Sequence, residues 1–210
     1  MRIDRRCFSA GLVAGIAWPI GIAARERVAT PSLTEGPFYP ERIPEDHDWD
    51  LTAFNSSLAP KNPKGGERRG PTGTTALLQG HLRSLSGTSL PGVNVEIWQC
   101  DAFGKYHHVG ATGEEDTQFQ GYGRTTTDET GLFRFRTLRP FKYGNRTPHI
   151  HCRIVGRLTT QLFDRANSRE NASDWLYQNI ASDAERELVT LDFRPDKAHG
   201  LKASFRIIVD

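Results

Sequence analysis

Two histidines separated by one residue form the clearest chemical signal in the sequence. His149 and His151 lie in the segment Arg-Thr-Pro-His-Ile-His-Cys-Arg-Ile-Val, residues 146–155. Side chains alternate between the two faces of a β-strand, so a strand here places both imidazoles on one face and Ile150 and Cys152 on the other. Two imidazoles on one face are a natural metal-binding pair. Taken alone, the pattern equally suits two histidines that are hydrogen-bonded at a sheet edge.

Two tyrosines are candidates to complete a metal site. Tyr143 lies shortly before His149, and Tyr106 ends the segment Trp-Gln-Cys-Asp-Ala-Phe-Gly-Lys-Tyr. A free phenol has a pKa of about 10, so tyrosine becomes an anionic ligand only where a strongly acidic metal lowers that pKa. Hard Fe(III) suits two phenolates and two imidazoles, whereas soft Cu(I) prefers Cys or Met. The residue types therefore favour a mononuclear ferric site, with Zn(II) as the competing interpretation.

The composition is that of a soluble globular protein. The chain has 210 residues, of which 37% are hydrophobic and 25% are charged, and its formal net charge is +2. This length suits one domain with appendages and is sufficient for a hydrophobic core. The small net charge argues against a nucleic-acid partner. The 3 cysteines are too few for a disulfide scaffold. We expect Cys100 and Cys152 to be two buried thiols, with a disulfide between them as the alternative.

Residues 1–24 have the pattern of an export signal. Arg5 and Arg6 precede an apolar run over residues 9–24 that ends in small residues. This order is typical of a signal peptide, and the adjacent arginines indicate the twin-arginine route. Glycines and a proline dilute the run, so we expect no stable membrane insertion once the signal is removed. The prediction is a periplasmic or secreted protein, with an uncleaved anchor as the alternative.

The rest of the sequence predicts an all-β fold. Residues 25–75 are rich in proline and glycine, which predicts an extended N-terminal arm and a loop. Over residues 76–210, short β-type runs alternate with turns, as in a single β-sandwich of the immunoglobulin or transthyretin type. The predicted strands cover 76–82, 93–97, 121–127, 132–137, 149–155, 189–193 and 203–209. A short helical insertion over 168–180 and 182–187, with Ser173-Asp174 as a start, precedes the last strands.

Several residues near the candidate ligands are assigned structural roles. Trp98 and Phe103 are expected in the core. His107 and His108 are expected at the rim, because adjacent strand residues face opposite ways and at most one of them could join the site. Acidic residues near turns are interpreted as turn or salt-bridge formers rather than acid–base catalysts; these are Glu96, Asp101 and Asp128.

Five segments together resemble the intradiol ring-cleavage dioxygenases, the family of protocatechuate 3,4-dioxygenase and catechol 1,2-dioxygenase. The segments occur in family order between residues 34 and 163. They are Thr-Glu-Gly-Pro-Phe-Tyr at 34–39, Leu-Pro-Gly-Val-Asn-Val-Glu-Ile-Trp-Gln-Cys-Asp-Ala-Phe-Gly-Lys-Tyr at 90–106, Gly-Arg-Thr-Thr-Thr-Asp at 123–128, Arg-Thr-Pro-His-Ile-His at 146–151 and Leu-Thr-Thr-Gln-Leu-Phe at 158–163. The similarity is greater to the compact exported members than to those with a helical dimerisation domain.

The resemblance implies a ligand set for one Fe(3+) per chain. Tyr106 would be the equatorial tyrosinate and Tyr143 the axial one. His149 and His151 would be the histidine ligands, and a hydroxide would fill the fifth position.

The resemblance also implies residues of the substrate pocket. Arg146 would act beside the reacting ring, and Gln161 would be the pocket glutamine. Pro37 and Phe38 would line the substrate cavity. The segment from Tyr143 to the first histidine is shorter than in protocatechuate dioxygenase, so the loop that shapes the ring pocket differs and the choice of catechol stays open.

The activity implied by the resemblance is that of a non-haem Fe(III) intradiol dioxygenase. Such an enzyme inserts O2 into a catechol-type ring and cleaves it between the two hydroxylated carbons, which yields a muconate-type diacid. A catechol and O2 are the expected small-molecule partners, and family analogy admits a homodimer. Two other interpretations stay open: an exported transthyretin-like module that binds a metal or an aromatic compound, and a zinc enzyme that uses the same histidine pair.

Overall fold

The computed structural model describes residues 28–54, 70–107 and 114–210. The predicted export signal, the lysine- and arginine-containing part of the loop and His108 lie outside the described residues. The described part of the chain forms two β-sheets with a few short helices, so the predicted all-β sandwich is confirmed. Within these residues, no helix is long and apolar enough to cross a membrane.

The strands divide into a four-stranded and a five-stranded sheet, with the orders β4-β1-β9-β8 and β3-β2-β5-β6-β7. Their bounds are β1 Thr75–Ser84, β2 Asn94–Trp98, β3 Tyr122–Thr126, β4 Leu132–Leu138, β5 His149–Ile154, β6 Leu158–Asp164, β7 Thr190–Leu191, β8 Arg194–Asp196 and β9 Gly200–Val209. Strands β6 and β8 are absent from the predicted strands. The reason is visible in β6, whose C-terminal part is continuously buried and therefore shows no alternation.

The hydrophobic core lies between the two sheets. Leu78 and Phe135 of the four-stranded sheet and Ile97, Ile150 and Cys152 of the five-stranded sheet are all fully buried in one cluster. Ile150 and Cys152 point into this core, as the period of two in β5 predicts. Strand β5 lies between β2 and β6 and pairs antiparallel with both. Because side chains alternate along a strand, His149 and His151 lie on the opposite face of β5, away from this core.

The N-terminal arm lies along the sandwich and is hydrogen-bonded to it. The Thr30 amide donates to the Ile208 carbonyl at 2.9 Å, and the Leu33 amide donates to the Thr159 carbonyl at 2.9 Å. Farther along, Leu51 is fully buried in the main core. Leu51 packs directly against Gly123. A Cβ atom at residue 123 would lie only 2.4 Å from Leu51 Cδ1, so the contact requires glycine at this position. The polar sequence around Leu51 does not reveal this anchor.

The helical insertion follows β6 and consists of a 3-10 turn and three short helices, α1 Ser168–Asn171, α2 Trp175–Gln178 and α3 Asp183–Leu188. Asp174 caps α2, since its Oδ1 accepts hydrogen bonds from the backbone amides of Leu176 and Tyr177. Ser182 and Glu185 form a capping box at α3. The predicted start at Ser173-Asp174 thus fits α2, whereas the predicted helix over 168–180 is divided in two.

Candidate metal centre

A row of side chains crosses the outer face of the five-stranded sheet. Register places His151 of β5 opposite Trp98 of β2 and opposite Gln161 of β6. The imidazole of His151 is stacked on the Trp98 indole, with ring centroids 4.8 Å apart and planes inclined by 9°. The neighbouring His149 lies opposite Phe163. The strand pairing therefore holds both histidines on one face, in fixed positions.

Three candidate ligand atoms converge above this row. The Tyr106 hydroxyl lies 3.3 Å from Nε2 of His149 and 3.1 Å from Nε2 of His151. The Tyr143 ring meets the Tyr106 ring edge to face, with centroids 5.3 Å apart. Both histidines and Tyr106 are buried, while Tyr143 is partly exposed. The structure thus brings together all four side chains that the resemblance assigns to the metal.

The protonation of the histidines suits metal binding. The Thr147 carbonyl can only accept a hydrogen bond, so Nδ1 of His149, at 2.7 Å, is the donor. That tautomer leaves the lone pair of His149 Nε2 directed toward Tyr106. Burial and, to a smaller extent, the Arg146 charge lower the pKa of His149 to about 4, although the hydrogen bond to Thr147 opposes this shift. Burial, His149 and Arg146 lower the pKa of His151 well below its usual value, so both imidazoles are neutral at pH 7.

The phenol of Tyr106 is protonated in the metal-free protein. Burial raises its pKa above the usual value for tyrosine. Among the described residues, His, Cys, Asp and Glu side chains nowhere form a group of three that could hold a metal. The donors at this site are two imidazoles and two phenols, a set that fits a hard, strongly acidic ion such as Fe(III).

Arg146 lies beside the histidines and is held by two side chains. Its Nε donates to Asp174 Oδ2 and its Nη2 donates to Gln161 Oε1, both at 2.7 Å. Gln161 is fully buried, and its Nε2 donates to the Thr34 carbonyl of the arm at 2.9 Å. Its charge acts on Tyr106, His149 and His151, so the guanidinium is a fixed cation near these candidate metal ligands.

Phe38 of the arm covers the tyrosines. Its ring is stacked on Tyr106 with centroids 4.5 Å apart and meets Tyr143 edge to face at 4.8 Å. Pro37 is exposed beside it. Phe38 thus closes one side of the site, and the roles of Phe38 and Pro37 in substrate binding stay predictions.

The turn before Tyr106 corrects one expectation. Phe103 is 48% exposed rather than in the core, because it lies at the tip of a turn that Asp101 holds through the Phe103 and Lys105 amides. Asp101 Oδ2 also lies 3.0 Å from His107 Nε2, and the interpretation of Asp101 as a turn former is confirmed. Trp98 is buried as predicted.

Two functional contacts are missed by the sequence reasoning. Thr147 supplies the carbonyl that orients His149, and Asp174 holds Arg146. Thr147 lies inside the Arg-Thr-Pro-His motif. It acts on His149 through its backbone carbonyl, which every residue type has, so the residue type at this position does not reveal the contact. Asp174 is detectable only as a helix cap, since its partner Arg146 is distant in sequence.

The chain is similar to known proteins over most of its length. The family model described as "Dioxygenase" matches residues 35–210. The chain is 30% identical over 162 residues to catechol 1,2-dioxygenase of Acinetobacter baylyi, which covers 77% of this chain and 45% of that protein. It is 29% identical over 177 residues to the protocatechuate 3,4-dioxygenase beta chain of Burkholderia cepacia, covering 76% of this chain and 73% of that protein. The chain thus spans less than half the length of the first of these relatives.

Solved structures show the same fold. The dioxygenase domain of a dioxygenase carbohydrate-binding protein fusion from Streptomyces sp. SirexAA-E has a TM-score of 0.61 and 26% identity, covering 87% of this chain and 99% of that one. An intradiol ring-cleavage dioxygenase from Tetranychus urticae has a TM-score of 0.59 at 21% identity and covers 87% of this chain and 95% of that one. With a family model that spans most of the sequence, these findings lead to one assignment: the chain belongs to the intradiol dioxygenase family.

Proposed function

We propose that this protein is a non-haem Fe(III) intradiol dioxygenase that inserts O2 into a catechol-type ring and cleaves it between the two hydroxylated carbons. The product would be a muconate-type diacid. The observation that carries the proposal is the contact of the Tyr106 hydroxyl with Nε2 of both His149 and His151 at a buried position. Membership of the intradiol family and the catechol and protocatechuate dioxygenases among its relatives support it.

The residues present fit one ferric ion per chain. Tyr106, Tyr143, His149 and His151 would hold it, and when bound it would supply Lewis acidity and a template for both oxygens of the catechol. The stacking of His151 on Trp98 and the hydrogen bond from His149 to Thr147 fix the two imidazoles. These contacts orient the ligands before any ion arrives.

Tyr143 is suited to move a proton. It is partly exposed, unlike the buried Tyr106. A catechol that binds through both oxygens must lose two hydroxyl protons. The Tyr143 phenolate oxygen can accept one of them, and a hydroxide held with the metal would accept the other, so no further general base on the protein is then required.

Arg146 is suited to stabilise negative charge on the bound ring. Asp174 and Gln161 hold its guanidinium, so little reorganisation accompanies the reaction. Phe38, stacked on Tyr106, excludes water from that side. A fixed cation in a site shielded from water stabilises charge more strongly than the same cation in solution.

We also propose export and a periplasmic or secreted location. The support is the Arg5-Arg6 pair and the apolar run that follows it. The twin-arginine route suits a protein that folds around its cofactor before export. A homodimer is proposed on family analogy alone. Size-exclusion chromatography and N-terminal sequencing of the protein from the periplasmic fraction test these proposals.

The decisive experiment is a visible absorption spectrum of the purified protein, before and after catechol is added without oxygen. We expect a broad visible band that moves to longer wavelength with catechol, followed by ring-cleaved diacid when O2 is admitted. A colourless protein with another metal in stoichiometric amount would overturn the proposal in favour of a zinc enzyme. A protein that binds catechol without iron and without cleavage would identify a binding module instead.

A further inference from the structure

Asp174 connects the helical insertion to the segment that precedes β5. Its side chain is almost completely buried. One oxygen, Oδ2, accepts from Arg146 Nε at 2.7 Å and from the Thr147 amide at 3.1 Å. The other, Oδ1, accepts from the first amides of α2. The Asp174 carboxylate therefore holds α2 through Oδ1 and the segment containing Arg146 and Thr147 through Oδ2.

The contacts of Arg146 leave one end of its guanidinium available. Nε is bound to Asp174 and Nη2 to Gln161, which fixes the plane of the group at two points. None of the described residues accepts a hydrogen bond from Arg146 Nη1. Nη1 is therefore the one guanidinium nitrogen of Arg146 without a partner among the described residues, and both of its N–H groups can be directed to a ligand.

The same carboxylate oxygen acts on a candidate metal ligand through the backbone. Asp174 holds the Thr147 amide, and the Thr147 carbonyl accepts the hydrogen bond from His149 Nδ1. The Thr147 hydroxyl donates to Asn171 Oδ1 at 2.7 Å, so the insertion holds this residue at two points. The position of the His149 imidazole thus depends on a peptide that Asp174 helps to fix.

The carboxylate has the charge that this arrangement needs. Burial by itself raises the pKa of Asp174, but hydrogen bonds from Arg146 and Thr147 and the charge of Arg146 outweigh burial and leave the pKa below its ordinary value. Asp174 is therefore ionised at neutral pH and forms a buried ion pair with Arg146. Removing one partner of such a pair leaves the other charge uncompensated.

We propose that Asp174 is a positioning residue for the ring-cleavage reaction: it fixes Arg146 so that Nη1 is presented to the bound ring, and it steadies the Thr147 peptide that orients His149. The proposal rests on the proposed function, because the reaction supplies the charge that Arg146 stabilises. Asp174 itself touches neither ring nor metal ligand in this scheme. Its effect is transmitted by Arg146 and Thr147.

The chain contains a matched control. Asp164 is also buried, accepts from an arginine through Oδ2 and caps the turn after β6 through Oδ1. Its partner Arg139, at 2.6 Å, faces the Phe193 ring rather than the candidate metal ligands. Asp164→Asn therefore removes the same type of interaction as Asp174→Asn, at a place outside the site.

The kinetic test compares these two variants. Asp174→Asn keeps the side-chain size and an oxygen that can cap α2, but it removes the acceptor for Arg146. We expect bound iron and the visible band to be kept and kcat to fall about 10- to 100-fold, the size of effect that misplacement of a catalytic group produces. Asp164→Asn should leave kcat within about twofold of the starting enzyme, because the Asp164 side chain is bonded to Arg139 and the Ala166 amide rather than to Arg146 or Thr147.

A double-mutant cycle separates positioning from general destabilisation. The part of the effect that is transmitted by Arg146 should vanish in an Arg146→Gln background, so Asp174→Asn should lower kcat there by much less than in the starting enzyme, and any remainder is the part transmitted by Thr147. A purely structural role would instead give effects on kcat that multiply, and that result would overturn the proposal. Should Asp174→Asn not fold, Asp174→Ser provides the same comparison, because serine caps helices but is too short to hold Arg146.

A second readout needs neither iron nor activity. In the metal-free protein, the Nε–H signal of Arg146 in a 1H–15N NMR spectrum, identified by its loss in Arg146→Lys, should exchange slowly with solvent. Asp174→Asn should make that exchange fast, while Asp164→Asn should not change it. Unchanged slow exchange in Asp174→Asn, or a kcat within about twofold of the starting enzyme, would refute the positioning role. A starting protein with no visible band and no cleavage would instead refute the proposed function.

Discussion

Both faces of the five-stranded sheet are buried, but they are buried by different means. On the inner face, Ile97, Ile150 and Leu162 pack into the main core against the other sheet. On the outer face, His151 and Gln161 lie beneath the N-terminal arm. Gln161 also accepts from Arg146, which the helical insertion holds through Asp174. The inner face is specified by apolar volume, and the outer face by hydrogen bonds and ring contacts with segments distant in sequence.

This difference separates stability from function along a single strand. A core methylene contributes mainly to the free energy of unfolding, because its packing is shared with many neighbours. A buried polar group contributes through a few directed contacts, and the loss of one partner changes the position or charge of the others. Substitutions on the outer face of β5 should therefore impair metal binding, whereas substitutions on its inner face should lower the free energy of unfolding.

The largest effect is expected from His149→Ala on the outer face. The variant should fold but lose iron and the visible band, with a loss of affinity greater than the roughly 10- to 100-fold caused by removing a supporting hydrogen bond. Iron per chain, measured by elemental analysis of the folded protein, checks this result. Full iron together with full activity would show that the ligand assignment is wrong.

The adjacent Ile150→Ala tests the inner face. Deleting these buried atoms should lower the free energy of unfolding by about 2–5 kcal/mol, because a cavity remains in a close-packed core. Urea denaturation of the metal-free protein measures the loss. Iron per folded chain should be unchanged. If Ile150→Ala lost iron while its free energy of unfolding stayed the same, the proposal that the inner face serves stability and the outer face serves metal binding would be wrong.

The pH dependence of stability follows from the depressed pKa of His149. Its pKa is about 4 in the folded protein because of burial, against an ordinary value of 6.5. The unfolded chain therefore binds a proton more readily, so the contribution of neutral His149 to stability is complete above the unfolded pKa and is lost as the pH falls from there toward 4. When the pH is lowered from 8 to 5, we expect His149 to reduce the free energy of unfolding by about 2 kcal/mol.

Urea denaturation of the metal-free protein at these two pH values checks the estimate, with His149→Gln as the reference. The difference between the two proteins isolates His149 from the other titrating groups. An equal pH dependence in both would contradict the assignment of a neutral, buried imidazole.

The smallest effect is expected from Tyr143→Phe. Only one of two expected bases is removed, so catechol binding should slow by about tenfold, less than the roughly 100-fold or more that general acid–base catalysis contributes. Anaerobic stopped-flow mixing with catechol measures the rate, and iron content serves as the control. Loss of iron without a change in the binding rate would instead make Tyr143 a purely structural ligand.

Local patterns in the sequence were sufficient for much of the fold. The period of two in β5 places His149 and His151 on one face and Ile150 and Cys152 on the other, as the structure shows. Cys100 and Cys152 are buried free thiols, as predicted, and burial raises the pKa of each to about 12. These features depend on neighbours in sequence, which short patterns report well.

Contacts between distant segments could not be predicted in the same way. Leu51 is a single apolar residue in a polar stretch, so no periodicity marks it as part of the core. Phe103 has the residue type of a core position, but the turn held by Asp101 exposes it. Asp174 has the sequence pattern of a helix cap, and this pattern gives no indication that its other oxygen binds Arg146. The ligand roles of the four site residues remain predictions that the experiments above test.

The parallel pairing of β1 with β9 delays the completion of the four-stranded sheet during synthesis. One edge of β1 can pair with β4 early, but Ala76 lies opposite Leu201, so the other edge must wait for β9. Such a non-local pairing raises the contact order and slows folding, because a long loop must close before the contact forms. A nascent chain without β9 would expose the edge of β1 to other chains. The four-stranded sheet, and with it the core that the two sheets share, is therefore completed only after β9 has left the ribosome.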